Sequence, residues 1–426
     1  MRYFVESYGC TMNRGEGEQF SRRMSELGHS PADSPECADI VVLNTCTVVD
    51  TTEKKMLKRM SELRRAGKRV VVTGCMAKVQ PGRIALRLPD SLIIPPDRYS
   101  VFSSAVGDTY GHSEPVADIP YGISGIIPIA QGCMGRCTYC ITRLARGRLV
   151  SSSEEEVLRR FKDMLENGVR EILVTAQDTA CYGTDRGTSL DALLRRMLDF
   201  PGDYRIRIGM MNPDSLERIS DGLLDAMADP RVYRFLHIPV QSGSDSVLER
   251  MGRRYTAGGF MSMAGSLRDT YPDLSIATDL ITGFPGETDE DHRRSMDLVR
   301  RLRADTLNIT RFSPRPGTLA AGMEAVGGNV SKDRSRELTD LKNLTEYDVN
   351  RTMVGREYRV LATENGKPGT VICRTDNYRP VAVHGDIPLG TFLDVRITGG
   401  ESTYLRGEET RRARPSGPGD GDGSQE

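Results

Sequence analysis

Apolar positions along this chain fall into two alternating periods, strand-like and helix-like, until the helical period stops near residue 352. Short apolar runs of strand length stand at 2–8, 39–45 and 68–74, and helical patterns follow at roughly 15–27 and 52–66. Strand-length runs separated by helical periods read as a parallel sheet with crossover helices. Residues 1–118 are therefore expected to form a small doubly wound α/β domain. Residues 107–124 are rich in Gly, Pro and Asp and read as a linker. The pattern then repeats six times, with strands expected at 125–131, 171–177, 204–210, 235–241, 274–283 and 306–312. Helices are expected between them, for example at 153–167, 188–198 and 288–302. Six βα units predict a partial (β/α)6 barrel within residues 119–351, closed by a charged helix at about 331–351. Over 352–407 the helical period is lost. Strands at 358–361, 369–372, 380–383 and 391–397, set between Gly, Pro, Asn and Asp, predict a small antiparallel β-barrel. Residues 408–426 carry the composition of a disordered tail.

Composition narrows the class. A chain of 426 residues with 38% hydrophobic and 27% charged residues suits a multidomain globular protein. The formal net charge of −1 provides no global basic field for nucleic acid, so RNA contact must come from local patches. The basic residues are 49 Arg and 9 Lys, a bias that suits phosphate and base contacts and equally a GC-rich genome. No apolar run approaches the ~20 residues of a membrane helix, and the N-terminus lacks a signal-peptide pattern. Nine Cys are too sparse for a disulfide framework and fit a reducing cytoplasm.

Three of those Cys lie in Gln131-Gly132-Cys133-Met134-Gly135-Arg136-Cys137-Thr138-Tyr139-Cys140. Soft thiolates at C-x3-C-x2-C spacing select an iron–sulfur cluster or zinc, and a structural zinc site would want a fourth ligand. Three thiols on a four-iron cubane leave one iron open to a small molecule. A second set follows from topology. Cys10, Cys46 and Cys75 each follow one of the three N-terminal strands. Strand C-termini of a parallel sheet share one edge, where ligands bind, so these three thiols are expected to converge. Cys37 precedes its strand, and Cys181 and Cys373 stand alone; these three are read as structural.

The combination resembles the radical S-adenosylmethionine (SAM) methylthiotransferases over residues 1–407. The motifs are Tyr8-Gly9-Cys10-Thr11-Met12-Asn13, Leu43-Asn44-Thr45-Cys46-Thr47, Thr73-Gly74-Cys75-Met76, the Gly132–Cys140 signature with Ala145-Arg146-Gly147, His237-Ile238-Pro239-Val240-Gln241-Ser242-Gly243-Ser244, Asp279 through Thr288, and Phe312 through Thr318. The β-segment resembles the TRAM domain, an RNA-binding module. Cys10-Thr11-Met12-Asn13, Asp50-Thr51-Thr52-Glu53, Gln131 and Gln177-Asp178-Thr179 resemble the archaeal and eukaryotic branch. That branch implies methylthiolation at C2 of N6-threonylcarbamoyladenosine beside the tRNA anticodon. Isopentenyladenosine in tRNA and an aspartate of a ribosomal protein are the substrates of related branches. An iron–sulfur RNA-binding protein without catalysis is the remaining alternative. Eukaryotic members add a hydrophobic C-terminal anchor, whereas this tail is polar, which favours a cytoplasmic protein without a membrane partner.

The resemblance implies two [4Fe–4S] clusters and SAM. Cys133, Cys137 and Cys140 would hold the cluster that reduces SAM to a 5′-deoxyadenosyl radical, which abstracts hydrogen from the adenine C2. Cys10, Cys46 and Cys75 would hold an auxiliary cluster presenting the sulfur. An electron donor such as ferredoxin or flavodoxin and a sulfur source are further implied partners. No side-chain general acid or base is expected. Gln177, Asp178, Gln241, Ser242, Gly283 and Glu287 stand at or just after expected strand C-termini, the face that carries barrel active sites, and are expected SAM contacts. For RNA, Arg143, Arg146, Arg148, Tyr378 and Arg379 are candidates, as is the basic stretch 54–69, with eight Lys and Arg against the single acid Glu62.

Overall fold

The computed structural model describes residues 1–116 and 119–411. Strands β1 (Arg2–Ser7), β2 (Ser30–Pro31), β3 (Ile40–Thr45), β4 (Arg69–Gly74) and β5 (Leu92–Ile93) form a sheet in the order β2-β1-β3-β4-β5, parallel throughout. β3 is buried at every position, as a central strand covered on both faces must be. Helix α1 (Thr11–Glu26) packs Phe20 and Met24 on the face carrying Ile40 and Val42. Helix α2 (Asp50–Arg65) packs Met56, Met60 and Leu63 on the face carrying Val41 and Leu43. Each such buried side chain contributes on the order of 1.5–3 kcal/mol. The short helix α3 (Cys75–Val79), too brief to leave a periodic trace, starts on Cys75 itself.

The central region holds β6 (Ser124–Pro128), a short antiparallel pair β7 (Ala130–Gln131) and β8 (Val150–Ser151), then β9 (Glu171–Thr175), β10 (Arg205–Ile208), β11 (Phe235–His237), β12 (Ser275–Thr282) and β13 (Thr306–Arg311). Two parallel three-stranded sheets, β10-β9-β6 and β11-β12-β13, make the partial barrel, bridged at Ile206 and Val232. The expected strand 235–241 is only three residues long. Pro239 has no N–H for the ladder, and Gln241 turns into the left-handed region at φ 71°. The charged helix runs over Gly328–Arg351.

The C-terminal strands β14 (Glu357–Asn365), β15 (Thr370–Arg374), β16 (Pro380–His384), β17 (Phe392–Gly400) and β18 (Leu405–Arg411) close a barrel in the order β14-β15-β16-β18-β17. Two expectations are corrected. The barrel is not wholly antiparallel: β16 and β18 run parallel, because five strands in a closed ring cannot alternate direction at every neighbour. The tail also does not begin at 408, since residues 408–411 belong to β18, whose polar sequence hides it. The rest of that tail lies outside the described residues.

Two contacts fix the site's surroundings. The C-terminal barrel seats under the N-terminal ends of the central strands. There the Arg234 amide donates to Asp376 O at 2.8 Å, Arg205 pairs with Asp376 at 3.0 Å, and Arg379 donates to Asp305 O. At the other side α1 covers the open edge of β6, where the Ile126 amide donates to Glu18 Oε2 at 3.3 Å. Burial pushes the Glu18 carboxyl from 4.5 up to about 7, against the opposing pull of that amide, Arg14 and Arg22. A folded-state value above the unfolded one means the protonated carboxyl favours the docked helix. This contribution is complete below pH 4.5 and is lost as the pH rises to about 7. Amide exchange at Ile126 is expected to be slower at about pH 5 than at about pH 8, after correction for intrinsic rates, and Glu18→Gln should flatten the difference. An unchanged difference in the variant would reject Glu18 as its source.

Candidate functional site

Each thiol of the N-terminal set stands where a strand hands over to a helix. Cys10 caps α1, Cys46 follows β3 on the way to α2, and Cys75 opens α3. A helix start is a favourable place for an anionic cluster. Gly9 makes the approach possible: with φ 100°, a Cβ there would sit 2.7 Å from Cys46 Cβ. Asn13 locks the loops together, donating to Tyr8 O at 2.7 Å and to Thr45 O at 2.9 Å. Cys133, Cys137 and Cys140 lie on the loop that β7 and β8 bracket. It is pinned to the opposite half-barrel by the Thr138 amide, which donates to Met251 O at 3.0 Å. Gly135 leaves the space between two of these thiols free, since a Cβ there would lie 3.2 Å from Cys133 Sγ and 3.7 Å from Cys137 Sγ.

Both triads open onto one cavity of about 800 Å³. All six thiols are free. Burial pushes Cys75 and Cys133 up to about 11 and raises Cys46 and Cys137, so these positions disfavour a bare thiolate. Bound iron would supply the missing positive charge and deprotonate them. Among the described residues no three His, Cys, Asp or Glu side chains gather closely enough for a single ion. A four-iron cubane is a larger body that meets each thiolate at a different corner, so three thiols facing a shared space suit it better than they suit zinc.

Below the triads the inward residues of the central strands line the cavity. His237 Nε2 lies 3.0 Å from Asp279 Oδ1, and Asn308 donates to the same oxygen at 2.9 Å. Burial pushes Asp279 up, but these hydrogen bonds outweigh it and hold the carboxyl below its ordinary value. Arg253 donates to Asn212 Oδ1 at 2.7 Å and to the Tyr139 hydroxyl. Alternation along β12 places Ser275, Ala277 and Asp279 inward. His237 and Asp279 stand in the sequence motifs but not among the expected cavity contacts, and sequence reasoning missed Asn308 and Arg253; the period-two pattern on β12 could have marked Asp279 as facing inward.

Of the six expected SAM contacts, the structure brings Gln177 and Gln241 to the cavity. Gln177 Oε1 accepts from the Gly132 amide at 2.6 Å, so it braces the cysteine loop. Gln241 combines φ 71° with a buried Oε1 that has no partner, the strain and unmet polarity of a ligand site. The other four do not line that cavity. Asp178 is 1% exposed and accepts from Asn212 and Ser215, each at 2.8 Å, as well as from Cys181. Ser242 Oγ accepts from the Ser244 amide. Glu287 accepts from the Gly283 amide at 2.7 Å and from Arg334 at 2.9 Å. Gly283 is needed for a neighbouring helix rather than a cofactor, since a Cβ there would lie 2.3 Å from Ser331 Oγ.

The RNA candidates divide as well. Arg143 and Arg148 are exposed, and Arg143 borders the cavity. Arg146 is buried against Glu16 and Asn13. Tyr378 packs edge-on to Tyr233 with ring centres 4.8 Å apart, and Arg379 is 4% exposed. These two help hold the C-terminal barrel to the central one, and both, like Arg146, also line the cavity.

Comparison with known proteins follows the same three-part division. Residues 127–299 match the radical SAM superfamily, residues 2–94 match an uncharacterized protein family, UPF0004, and residues 351–409 match the TRAM domain. The chain is 40% identical over 422 residues to a probable threonylcarbamoyladenosine tRNA methylthiotransferase of Pyrococcus horikoshii, spanning 96% of this chain and 99% of that one. It is 34% identical over 430 residues to the threonylcarbamoyladenosine tRNA methylthiotransferase of Xenopus laevis, spanning 96% of this chain and 77% of that one. Among solved structures, the radical SAM methyltransferase TsrM of Kitasatospora setae, with cobalamin and a [4Fe-4S] cluster bound, aligns at TM-score 0.57 and 15% identity over 75% of this chain and 76% of that one. That likeness is one of fold.

Proposed function

Since the chain belongs to the radical SAM threonylcarbamoyladenosine tRNA methylthiotransferase family, we propose that it transfers a methylthio group to C2 of N6-threonylcarbamoyladenosine beside the anticodon of tRNA. The observation that carries this reading is the opening of two Cys triads onto one cavity. A radical SAM enzyme holds a [4Fe–4S] cluster and SAM. Cys133, Cys137 and Cys140 are the proposed ligands, and Cys10, Cys46 and Cys75 those of a second cluster. When bound, the first cluster provides the electron that cleaves SAM and the second provides the sulfur to be transferred. The protein's own residues position and shield. Gln241 offers its unpaired Oε1 to SAM or the adenine edge. Tyr139 and Arg253 wall the space beside Cys137, and the His237–Asp279–Asn308 network presents fixed polar groups to the inserted base. A ferredoxin- or flavodoxin-like electron donor and a separate sulfur source complete the proposed partners. Among the described residues no helix is long and apolar enough to cross a membrane, and a cytoplasmic location is proposed. In a deletion strain, mass spectrometry of tRNA nucleosides should show N6-threonylcarbamoyladenosine without its 2-methylthio form, and the wild-type gene should restore it. An unchanged 2-methylthio pool would reject the substrate.

The tRNA surface is proposed along α2, which leads away from the cavity mouth at Val48. Lys54, Lys55, Lys58, Arg64 and Arg65 are exposed there. Lys54 and Lys58 have the acidic neighbours Asp50 and Glu62. Replacing Lys55 by Ala is expected to weaken binding to all tRNA sequences alike and to lower the salt slope by about one. A slope equal to wild type would remove α2 from the interface.

A further inference from the structure

Helix Ile141–Arg146 joins the two triads. Its N-terminal cap is Cys140, and its last residue is Arg146. The Arg146 side chain is 1% exposed and reaches into the N-terminal domain. Its Nε lies 3.3 Å from Cys75 Sγ, and one Nη donates to Asn13 Oδ1 at 2.7 Å. The guanidinium also grips the Glu16 carboxylate in a two-pronged pair. Asn13 is the side chain that ties the Cys10 and Cys46 loops. Glu16 extends the network to the Tyr99 hydroxyl, which accepts from the Gly74 amide at 3.0 Å, immediately before Cys75. One guanidinium thus contacts a sulfur of one triad directly, braces the other two loops of that triad through Asn13, and hangs from the helix that Cys140 caps.

A buried cation is costly unless its contacts require it. Only one of its three partners here, the Glu16 carboxylate, carries an opposite charge. The Nε points at a thiol. An N–H donated to a ligating sulfur, with a full positive charge behind it, stabilises the more negative state of an iron–sulfur cluster and raises its potential. Low surrounding dielectric strengthens the effect, and nearby solvent ions barely screen it. We propose that Arg146 is the positioning residue of the second triad, fixing its distance from the first and setting the reduction potential of the cluster that Cys10, Cys46 and Cys75 hold. The inference rests on the two-cluster reading above. The process it concerns is a one-electron reduction: the cluster gains the electron that a reduced mediator dye loses, and no bond or proton moves.

The test isolates the second cluster in the full chain by replacing Cys133, Cys137 and Cys140 with Ala, then reconstitutes it anaerobically. The potential is read by mediator titration with electron paramagnetic resonance detection. Arg146→Gln removes the positive charge and should lower the potential. Glu16→Gln removes the opposing negative charge and should raise it. Arg146→Lys keeps the charge and should stay nearer the parent than Arg146→Gln does. Opposite signs for the first two carry the proposal, because a general loosening of the loops would move both the same way. Shifts of one sign, or none, would overturn it. Should Arg146→Gln fail to hold a cluster, the Glu16→Gln and Arg146→Lys potentials decide alone. A parent variant that binds no iron fails one step earlier: it rejects the second cluster itself, and the Arg146 assignment with it.

Discussion

Replacing Cys133, Cys137 and Cys140 by Ala is expected to abolish formation of 5′-deoxyadenosine from SAM, while replacing Cys10, Cys46 and Cys75 leaves that cleavage running and removes only methylthiolated product. The asymmetry follows from architecture. Each triad hangs on its own loops, from a different sheet, and reaches the other chiefly across the shared cavity. Loss of one set of thiolates removes its cluster outright, since the cluster binds through those thiolates. Iron should fall from about eight to about four per chain in either triple variant, as each triad holds one four-iron unit. Product loss should exceed a thousandfold in both. Iron of about four in the unaltered chain would sink the two-cluster assignment, and deoxyadenosine formation without Cys133, Cys137 and Cys140 would reverse the roles.

The second large effect concerns the seam between the N-terminal domain and the barrel. Glu53 on α2 is 3% exposed. It accepts from Thr47 at 2.9 Å, from Gln80 at 3.2 Å, from Arg83, and from Arg315 at 2.8 Å. Arg315 follows β13 in the central barrel and is 5% exposed. Among the described residues, its only other acidic neighbour in reach is Asp50 at 3.9 Å. Glu53→Ala therefore strands a buried cation and several donors. Breaking a buried pair from one side costs about 3–5 kcal/mol, which should lower the unfolding midpoint by several degrees. Adding Arg315→Met removes the stranded charge and should recover part of the loss, giving a coupling energy in a double-mutant cycle. A single variant within about 0.5 kcal/mol of wild type would show that water reaches the seam and that the pair matters little.

The convergence of Cys10, Cys46 and Cys75 was legible because it needs only strand order and parallel direction, both visible as apolar runs between helical periods. The barrel strands were legible for the same reason, since each is an apolar run that no helix period explains. β18 was not, because in Leu405–Arg411 the ladder rather than side-chain burial makes the strand. The SAM candidates show the limit within the site itself. Strand ends mark the right rim, but neighbouring residues on one turn face different ways, so Gln177 meets the cavity while Asp178 turns behind it to Asn212 and Ser215.

Arg146 and Arg379 show the same limit for charge. As sequence, an Arg after a cluster loop and an Arg in an RNA-binding module both suggest phosphate. In the folded chain each is buried at a domain seam, one beside a thiol and one beside Asp305. The chain by itself determined which elements form, which thiols share an edge and which family they resemble, because periodicity, turn residues and motif spacing are local. Which side chains face the cavity, which guanidinium touches Cys75, and how the C-terminal barrel closes the floor beneath it were decided only by tertiary packing. These depend on contacts between residues up to 262 positions apart, as between Glu53 and Arg315, and no local period encodes such a pairing.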